Sequence, residues 1–249
     1  MGKNKLRKFA EMETLPCVFQ YPFSVLRSEG GCPMRGKWNS DYFRNGNPIV
    51  VELGCGKGEY AVGLAQTTPD RNFIGIDIKG ARMWTGACRV RDLGLTNCAF
   101  LRTGIELLDE FFAPGEVSEI WITFPDPQMK KVNKRLTGTR FLELYRKVLR
   151  PDGRVNLKTD SPFLYTYTRE MLRHNGLTPD ADTADLYASE LAASLPPIRT
   201  FYEQQWLDRG LTIKFLSWML PPSPPLSEPE IEIEPDTYRS FGRGELQGF

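Results

Sequence analysis

At 249 residues, of which 41% are hydrophobic and 25% charged, the chain is long enough to bury a full core and suits one α/β domain with extensions. No apolar run approaches the ~20 residues that cross a bilayer, which excludes a membrane-spanning helix. Five cysteines without a Cys-x-x-Cys, and a single histidine, exclude a disulfide framework and offer no zinc site. The formal net charge of +1 excludes a uniformly basic surface.

The charge is unevenly spread. Lys3, Lys5, Arg7 and Lys8 precede the first acid, so 1–44 reads as a basic arm and extension. That N-terminus has no apolar stretch of the secretory kind, and the expected compartment is the cytoplasm. The spacing then predicts a strand over 49–53, a glycine turn, and a helix running through Leu64 and Ala65. A second strand follows over 72–77, a helix over 79–93 stopped by Gly94, and a third strand over 98–101. A fourth strand is predicted over 117–124, a helix over 138–149 closed by Pro151-Asp152-Gly153, and a fifth strand over 154–158. Between the fourth strand and that turn, Lys130, Lys131, Lys134, Arg135, Arg140, Arg146, Lys147 and Arg150 face only Glu143, a basic run. Beyond the main domain at 45–220, Pro221-Pro222-Ser223-Pro224-Pro225 and the acids from Glu228 to Asp236 read as an extended, disordered tail over 221–249.

Strands alternating with helices at this spacing imply a mostly parallel sheet covered on both faces. Ligands of such sheets bind beyond the carboxyl ends of the strands. The segment from Glu52 to Gly58, Asp77, the Thr103 region, Asp126 and Asp160 should therefore open onto one crevice.

The first strand ends in Glu52-Leu53-Gly54-Cys55-Gly56-Lys57-Gly58-Glu59, with glycines at alternate positions where the backbone must turn tightly and approach a ligand. A dinucleotide turn places its third glycine one residue later, where this chain has Glu59. Carboxylates at 52 and 59 disfavour a pyrophosphate and suit a ligand carrying sulfonium and ammonium charges. Asp77, about 20 residues on, is placed to accept from ribose hydroxyls. These features point to S-adenosylmethionine ahead of NAD.

The fourth strand ends Phe124-Pro125-Asp126-Pro127-Gln128-Met129-Lys130-Lys131. Prolines on both sides of the aspartate keep the chain extended, so that Asp126 either projects into the crevice or closes a local Asx turn. Val51-Glu52-Leu53-Gly54-Cys55-Gly56-Lys57-Gly58, Phe73-Ile74-Gly75-Ile76-Asp77, Phe124-Pro125-Asp126-Pro127, Lys134-Arg135-Leu136-Thr137, Lys158-Thr159-Asp160 and Thr200-Phe201-Tyr202-Glu203 occur in that order. Over about 45–217 this set resembles the bacterial tRNA (guanine-N7)-methyltransferases. The resemblance implies a Rossmann-like α/β fold with a seven-stranded, mostly parallel sheet, and methyl transfer from S-adenosylmethionine to N7 of a guanosine in tRNA, in the variable loop. It further implies that Glu52, Gly54, Gly56, Asp77, Thr103 and Asp126 meet the cofactor and that Asp126 is the catalytic carboxylate. Lys130, Asp160, Thr200, Phe201, Tyr202 and Glu203 are implied to meet the tRNA. No metal is expected, and the chain is expected to act as a monomer or homodimer. The sequence departs from the family pattern at Gln128, where a tryptophan is usual, and at Thr103, where an acid is usual. Two other readings start from the same residues: a tRNA-binding or cofactor-sensing module without turnover, and a methyltransferase acting on another acceptor.

Overall fold

The computed structural model describes residues 3–28 and 31–240. The chain opens with helix α1 (Lys3–Thr14), the two-residue strand β1 (Val18–Phe19) and a single turn, α2 (Phe23–Leu26). A bulged helical turn (Trp38–Phe43) leads to β2 (Ile49–Leu53), α3 (Glu59–Thr67), β3 (Asn72–Ile76), α4 (Gly80–Leu93) and β4 (Cys98–Leu101). After α5 (Leu108–Phe111) come β5 (Val117–Thr123), α6 (Thr139–Arg146), β6 (Leu149–Thr159), α7 (Pro162–His174) and β7 (Ala181–Thr183). Two short helices, α8 (Leu191–Ser194) and α9 (Phe201–Leu207), precede β8 (Lys214–Met219).

β2, β3, β4 and the second half of β5 are mostly apolar because the sheet is covered on both faces and both sets of side chains are buried. Two apolar clusters result, one on each side: Trp38, Phe111, Phe112, Tyr145 and Trp218 belong to the first, Tyr60, Met83, Phe100 and Phe215 to the second. The strand order is β1-β4-β3-β2-β5-β6-β8-β7, parallel from β1 through β6 and antiparallel at β8 and β7. Leu53 pairs with Ile76 and with Ile122, and Thr123 with Lys158, so Gly54, Asp77, Phe124 and Asp160 all leave the sheet at the same edge.

Three expectations are corrected. The sheet has eight strands, not seven: Phe100 donates to the Cys17 carbonyl at 2.7 Å and Arg102 to the Phe19 carbonyl at 2.9 Å, so the N-terminal extension pairs the β4 edge that would otherwise stay open. The same extension is no free arm. Met12 is fully buried, and Trp84 on α4 donates its indole N–H to Glu11 at 2.7 Å. The segment expected to be a disordered tail is instead an ordered strap through residue 240. It has no regular strand or helix before 237, yet several of its polar groups find partners on α6 and α7: Glu228 accepts from the Thr139 backbone N–H and the Tyr167 hydroxyl, and Leu226 N–H donates to Glu143. Proline lowers the entropy lost on ordering such a segment, and two of the acids that suggested solvation, Glu228 and Asp236, find fixed donors. The remainder of the expected tail, 241–249, lies outside the described residues.

Candidate active site

The glycine turn is built from three left-handed residues, Gly54 (φ 72°), Gly56 (φ 55°) and Gly58 (φ 70°). Gly54 and Cys55 both donate to the Ile76 carbonyl, at 2.8 and 2.9 Å, which folds the turn back over the end of β3. Gly58 has no alternative residue, because a Cβ there would fall 2.4 Å from the Phe100 ring. Gly58 caps α3 without a side chain, and Glu52 does that work from the neighbouring strand: its Oε2 accepts from Ala61 N–H at 2.9 Å while Oε1 accepts from the Thr123 hydroxyl at 2.7 Å. Burial pushes the Glu52 carboxyl up to about 7; its two hydrogen bonds oppose that rise, and Asp77 and Glu59 nearby add to it. Asp77 Oδ2 accepts from Gly56 N–H at 2.9 Å and Oδ1 from Lys79 N–H at 2.7 Å, so the aspartate is oriented by backbone on both sides.

Across from the turn, β5 ends in a loop with two strained residues. Phe124 (φ 50°) and Gln128 (φ 48°) are both left-handed without being glycine, and they bracket Pro125-Asp126-Pro127. Such residues cost of order 1–3 kcal/mol each and persist where the surroundings over-determine them. Asp126 Oδ1 accepts from Gln128 N–H at 3.0 Å, so the Asx turn foreseen as one alternative forms, and the carboxylate is at the same time exposed at the cleft. Arg135 braces the loop from behind. Its guanidinium lies between the rings of Phe163 (4.8 Å) and Tyr167 (4.4 Å) and donates to the carbonyls of Gln128 (3.2 Å) and Met129 (2.7 Å).

A cleft of about 680 Å³ separates the two loops, a size suited to a nucleoside-sized ligand. Glu52, Gly54, Gly56, Asp77, Asp126, Thr200 and Tyr202 line it, so most of the residues expected at the site come together. Thr103 does not: it is 9% exposed and faces a neighbouring groove of about 610 Å³ that shares Ile78 with the cleft. Lys130 is exposed beside the cleft without lining it. Phe201 is half exposed at the rim under the Lys57 ammonium, which sits 4.1 Å from the ring. Asp160 and Glu203 are fully buried. Asp160 accepts from the Tyr238 hydroxyl at 2.6 Å. Glu203 completes a capping box with Thr200 and pairs with Lys158 at 2.7 Å, so its carboxylate is engaged within the fold and does not reach the cleft.

Residues not singled out beforehand also line the cleft, among them Thr123, Arg82 and Trp206. Thr123 was foreseeable in principle, since it ends the strand next to Glu52. Arg82 and Trp206 come from helices whose rotation about their axes carried no readable signal. Among the described residues no cluster of His, Cys, Asp and Glu is placed to hold a metal ion, and no helix is long and apolar enough to cross a membrane.

The cradle fits S-adenosylmethionine. Three glycines leave backbone open to a ligand, Asp77 presents a carboxylate with lone pairs to spare, and Glu52 and Glu59 line the same cleft, carboxylates that suit a cationic ligand. Fold and site together define an S-adenosylmethionine-dependent methyltransferase of the Rossmann-like class. Residues 46–216 match a family model described as "Putative methyltransferase". The tRNA (guanine-N(7)-)-methyltransferase of Porphyromonas gingivalis is 63% identical over 93% of this chain and 96% of its own. That of Bacteroides fragilis is 57% identical over 100% and 98%, and that of Bacillus subtilis 35% identical over 72% and 83%. The chain belongs to the tRNA (guanine-N(7)-)-methyltransferase family. Among solved structures, the 16S rRNA methyltransferase KamB superposes with a TM-score of 0.57 at 16% identity, over 75% of this chain and 92% of that one. An antibiotic-related methyltransferase gives 0.53 at 17%, over 72% and 90%. At such identities the likeness is one of fold.

Proposed function

We propose that the protein transfers a methyl group from S-adenosylmethionine to N7 of a guanosine in tRNA, in the variable loop, with Asp126 as the residue that engages the base. One observation carries the assignment of Asp126: an exposed carboxylate, on a turn strained at both ends, faces the glycine cradle across a single cleft. The cytoplasm, where tRNA is processed, is the corresponding compartment.

Guanine N7 carries an in-plane lone pair and no proton, so no general base has to act before attack. Bound S-adenosylmethionine supplies an electrophilic methyl group on a sulfonium. The residues of this chain have to align the base with it, a contribution of the kind worth several kcal/mol. As N7 forms its new bond the ring becomes cationic, and its N1 and exocyclic amino hydrogens become stronger donors. A carboxylate that accepts them is bound more tightly in the transition state than before it. Asp126 has the free oxygen for this role, since only Oδ1 is held by Gln128 N–H. Tyr202, lining the cleft with Arg82 6.0 Å from its ring, offers a face on which an extruded base can stack. Lys130, Lys131, Lys134 and Arg140 are exposed along the neighbouring edge and form a track for phosphates.

The test is incubation of the protein with S-adenosylmethionine and unmodified tRNA, then nuclease digestion and mass spectrometry against standards for the methylguanosine isomers. N7-methylguanosine should form, and Asp126→Ala should lower the single-turnover rate by about 10²-fold or more. An Asp126→Ala rate within a few-fold of the parent protein would remove Asp126 from the reaction. Cofactor binding without any methylated nucleoside would favour the binding-module reading, and a different methylated product the alternative acceptor. Fragment mapping of the methylated tRNA tests the position in the variable loop.

A further inference from the structure

The strap formed by residues 225–240 does more than cover α6 and α7. Its last described residues turn onto the carboxyl edge of the sheet, where Asp236, only 5% exposed, accepts from the Ser161 hydroxyl and from Phe163 N–H at 3.0 Å. These are groups of the first turn of α7, so Asp236 caps that helix from a distance in sequence of more than 70 residues. From the same residue, the Asp236 N–H reaches the Met129 sulfur at 3.1 Å, inside the loop that carries Asp126. Two residues on, the Tyr238 hydroxyl donates to Asp160 Oδ2 at 2.6 Å, and the Tyr238 ring packs edge to face on Trp206, 5.5 Å between centroids. Trp206 lines the cleft.

Three separate pieces of the site's acceptor side therefore meet one short stretch of strap: the Asp126 loop through Met129, the end of β6 through Asp160, and α9 through Trp206. The end of β6 is also joined to α9 by the Lys158–Glu203 ion pair at 2.7 Å and to the start of the Asp126 loop by the Phe124 N–H on the Lys158 carbonyl at 2.8 Å, and the strap is the element that touches all three. On the cofactor side, the glycine turn, Glu52 and Asp77 are held by other partners: the Ile76 carbonyl, Ala61 N–H, the Thr123 hydroxyl and Lys79 N–H. We propose that Asp236 and Tyr238 are positioning residues, which set the Asp126 loop, Asp160 and α9 in register for the guanine while leaving cofactor binding untouched. The inference rests on the assignment of Asp126 above.

Tyr238→Phe keeps the ring on Trp206 and removes the hydroxyl from Asp160; Asp236→Asn keeps the size and removes the charge that caps α7. Each variant, as the full chain, is compared with the parent for stoichiometry and affinity of S-adenosylhomocysteine binding, for tRNA affinity, and for single-turnover methylation at saturating tRNA. Both variants should bind S-adenosylhomocysteine at full stoichiometry with unchanged affinity and bind tRNA as before, while the methylation rate falls by about tenfold or more, as displaced reacting groups require. A loss of rate only in proportion to lost cofactor stoichiometry would overturn the inference, because Asp236 and Tyr238 would then merely hold the fold. A rate for Tyr238→Phe above the parent would also overturn it, revealing Tyr238 as a competitor of the base for Asp160. Parent-like rates in both variants, with Asp126→Ala inactive, would remove the strap and leave the site assignment standing. If Asp126→Ala is active too, the site assignment falls and takes the strap with it.

Discussion

The Lys158 ammonium lies 2.7 Å from the Glu203 carboxylate with both side chains almost completely buried, tying the end of β6 to the first turn of α9. Burial pushes the Lys158 ammonium below its ordinary value, and Glu203 pulls it back up. Glu203 also accepts from the Tyr187 hydroxyl at 2.6 Å, and with Thr200 it closes the helix in a capping box. Its position facing inward explains how Thr200 and Tyr202 come to stand at the cleft: the pair fixes the pitch of a helix only seven residues long.

Removing one member of this pair leaves the other as an uncompensated buried charge. Lys158→Met and Glu203→Leu should each destabilise the protein, Lys158→Met by about 3–5 kcal/mol. The double variant Lys158→Met/Glu203→Leu should cost much less than the sum of the single variants. Denaturant unfolding of the four proteins measures the coupling; additive losses would show that the contact contributes little.

Glu52 gives the cofactor site a pH dependence of definite sign. Its carboxyl stands at about 7 in the folded chain against an ordinary 4.5. Between those values the folded state holds a proton that the unfolded chain has lost, so ligand-free stability falls as pH rises through this window and is unaffected below it. The difference corresponds to about 3 kcal/mol. Glu52→Gln should flatten the slope, since glutamine can accept from Ala61 N–H and donate to the Thr123 hydroxyl. A cationic ligand reverses the preference by favouring the ionised form, so affinity for S-adenosylmethionine should strengthen from about pH 6 to about pH 8. Thermal unfolding and titration calorimetry across that range check both; an affinity independent of pH would place the ligand's charges away from Glu52.

How much of this was legible in the sequence depends on which physical signal each residue carried. β2, β3 and β4 were readable as short apolar runs bounded by turn residues, and with them the crevice holding Glu52, Asp77 and Asp126. The eighth strand was not, because Val18–Phe19 is too short to show a period. The strap was misread because its composition matches that of disordered chain; what orders it is a set of donors on α6 and α7 far away in sequence. The Thr200-Phe201-Tyr202-Glu203 segment was read for substrate contacts, although Thr-x-x-Glu is also the signature of a capping box, and Glu203 serves that end. Arg135 was counted in the basic run with Lys130 and Lys134, yet it is 6% exposed and packs on two rings. Charge alone does not tell a phosphate contact from a buried brace.

The left-handed Gln128 separates stability from activity. Glycine accepts φ 48° without the steric cost borne by glutamine, and loses more chain entropy on folding, two effects that nearly cancel at about 1 kcal/mol each. Gln128→Gly should therefore unfold at or slightly above the parent temperature, while the loop it releases holds Asp126 less firmly and single-turnover methylation slows. Gln128→Asn tolerates the same backbone and should keep most of the rate. If the asparagine variant is as slow as the glycine variant, it is the side chain facing the cleft that matters, and not the backbone.

The basic residues of the same region divide into two kinds with opposite signatures. Lys130 and Lys134 are exposed, and each phosphate either one meets would release condensed counterions. Lys130→Ala and Lys134→Ala should each reduce the slope of log affinity for tRNA against log salt by about 0.7–0.9 and change the rate at saturating tRNA little. Arg135 is buried and spends its donors on the carbonyls of Gln128 and Met129. Arg135→Lys keeps the charge but loses the planar fork and the stacking between Phe163 and Tyr167, so the Asp126 loop is unbraced. Its salt slope should match the parent, while single-turnover methylation falls. Binding isotherms at several salt concentrations, paired with rapid-quench methylation, distinguish the two kinds. A shallower salt slope for Arg135→Lys would mean that the guanidinium leaves its aromatic seat when tRNA binds.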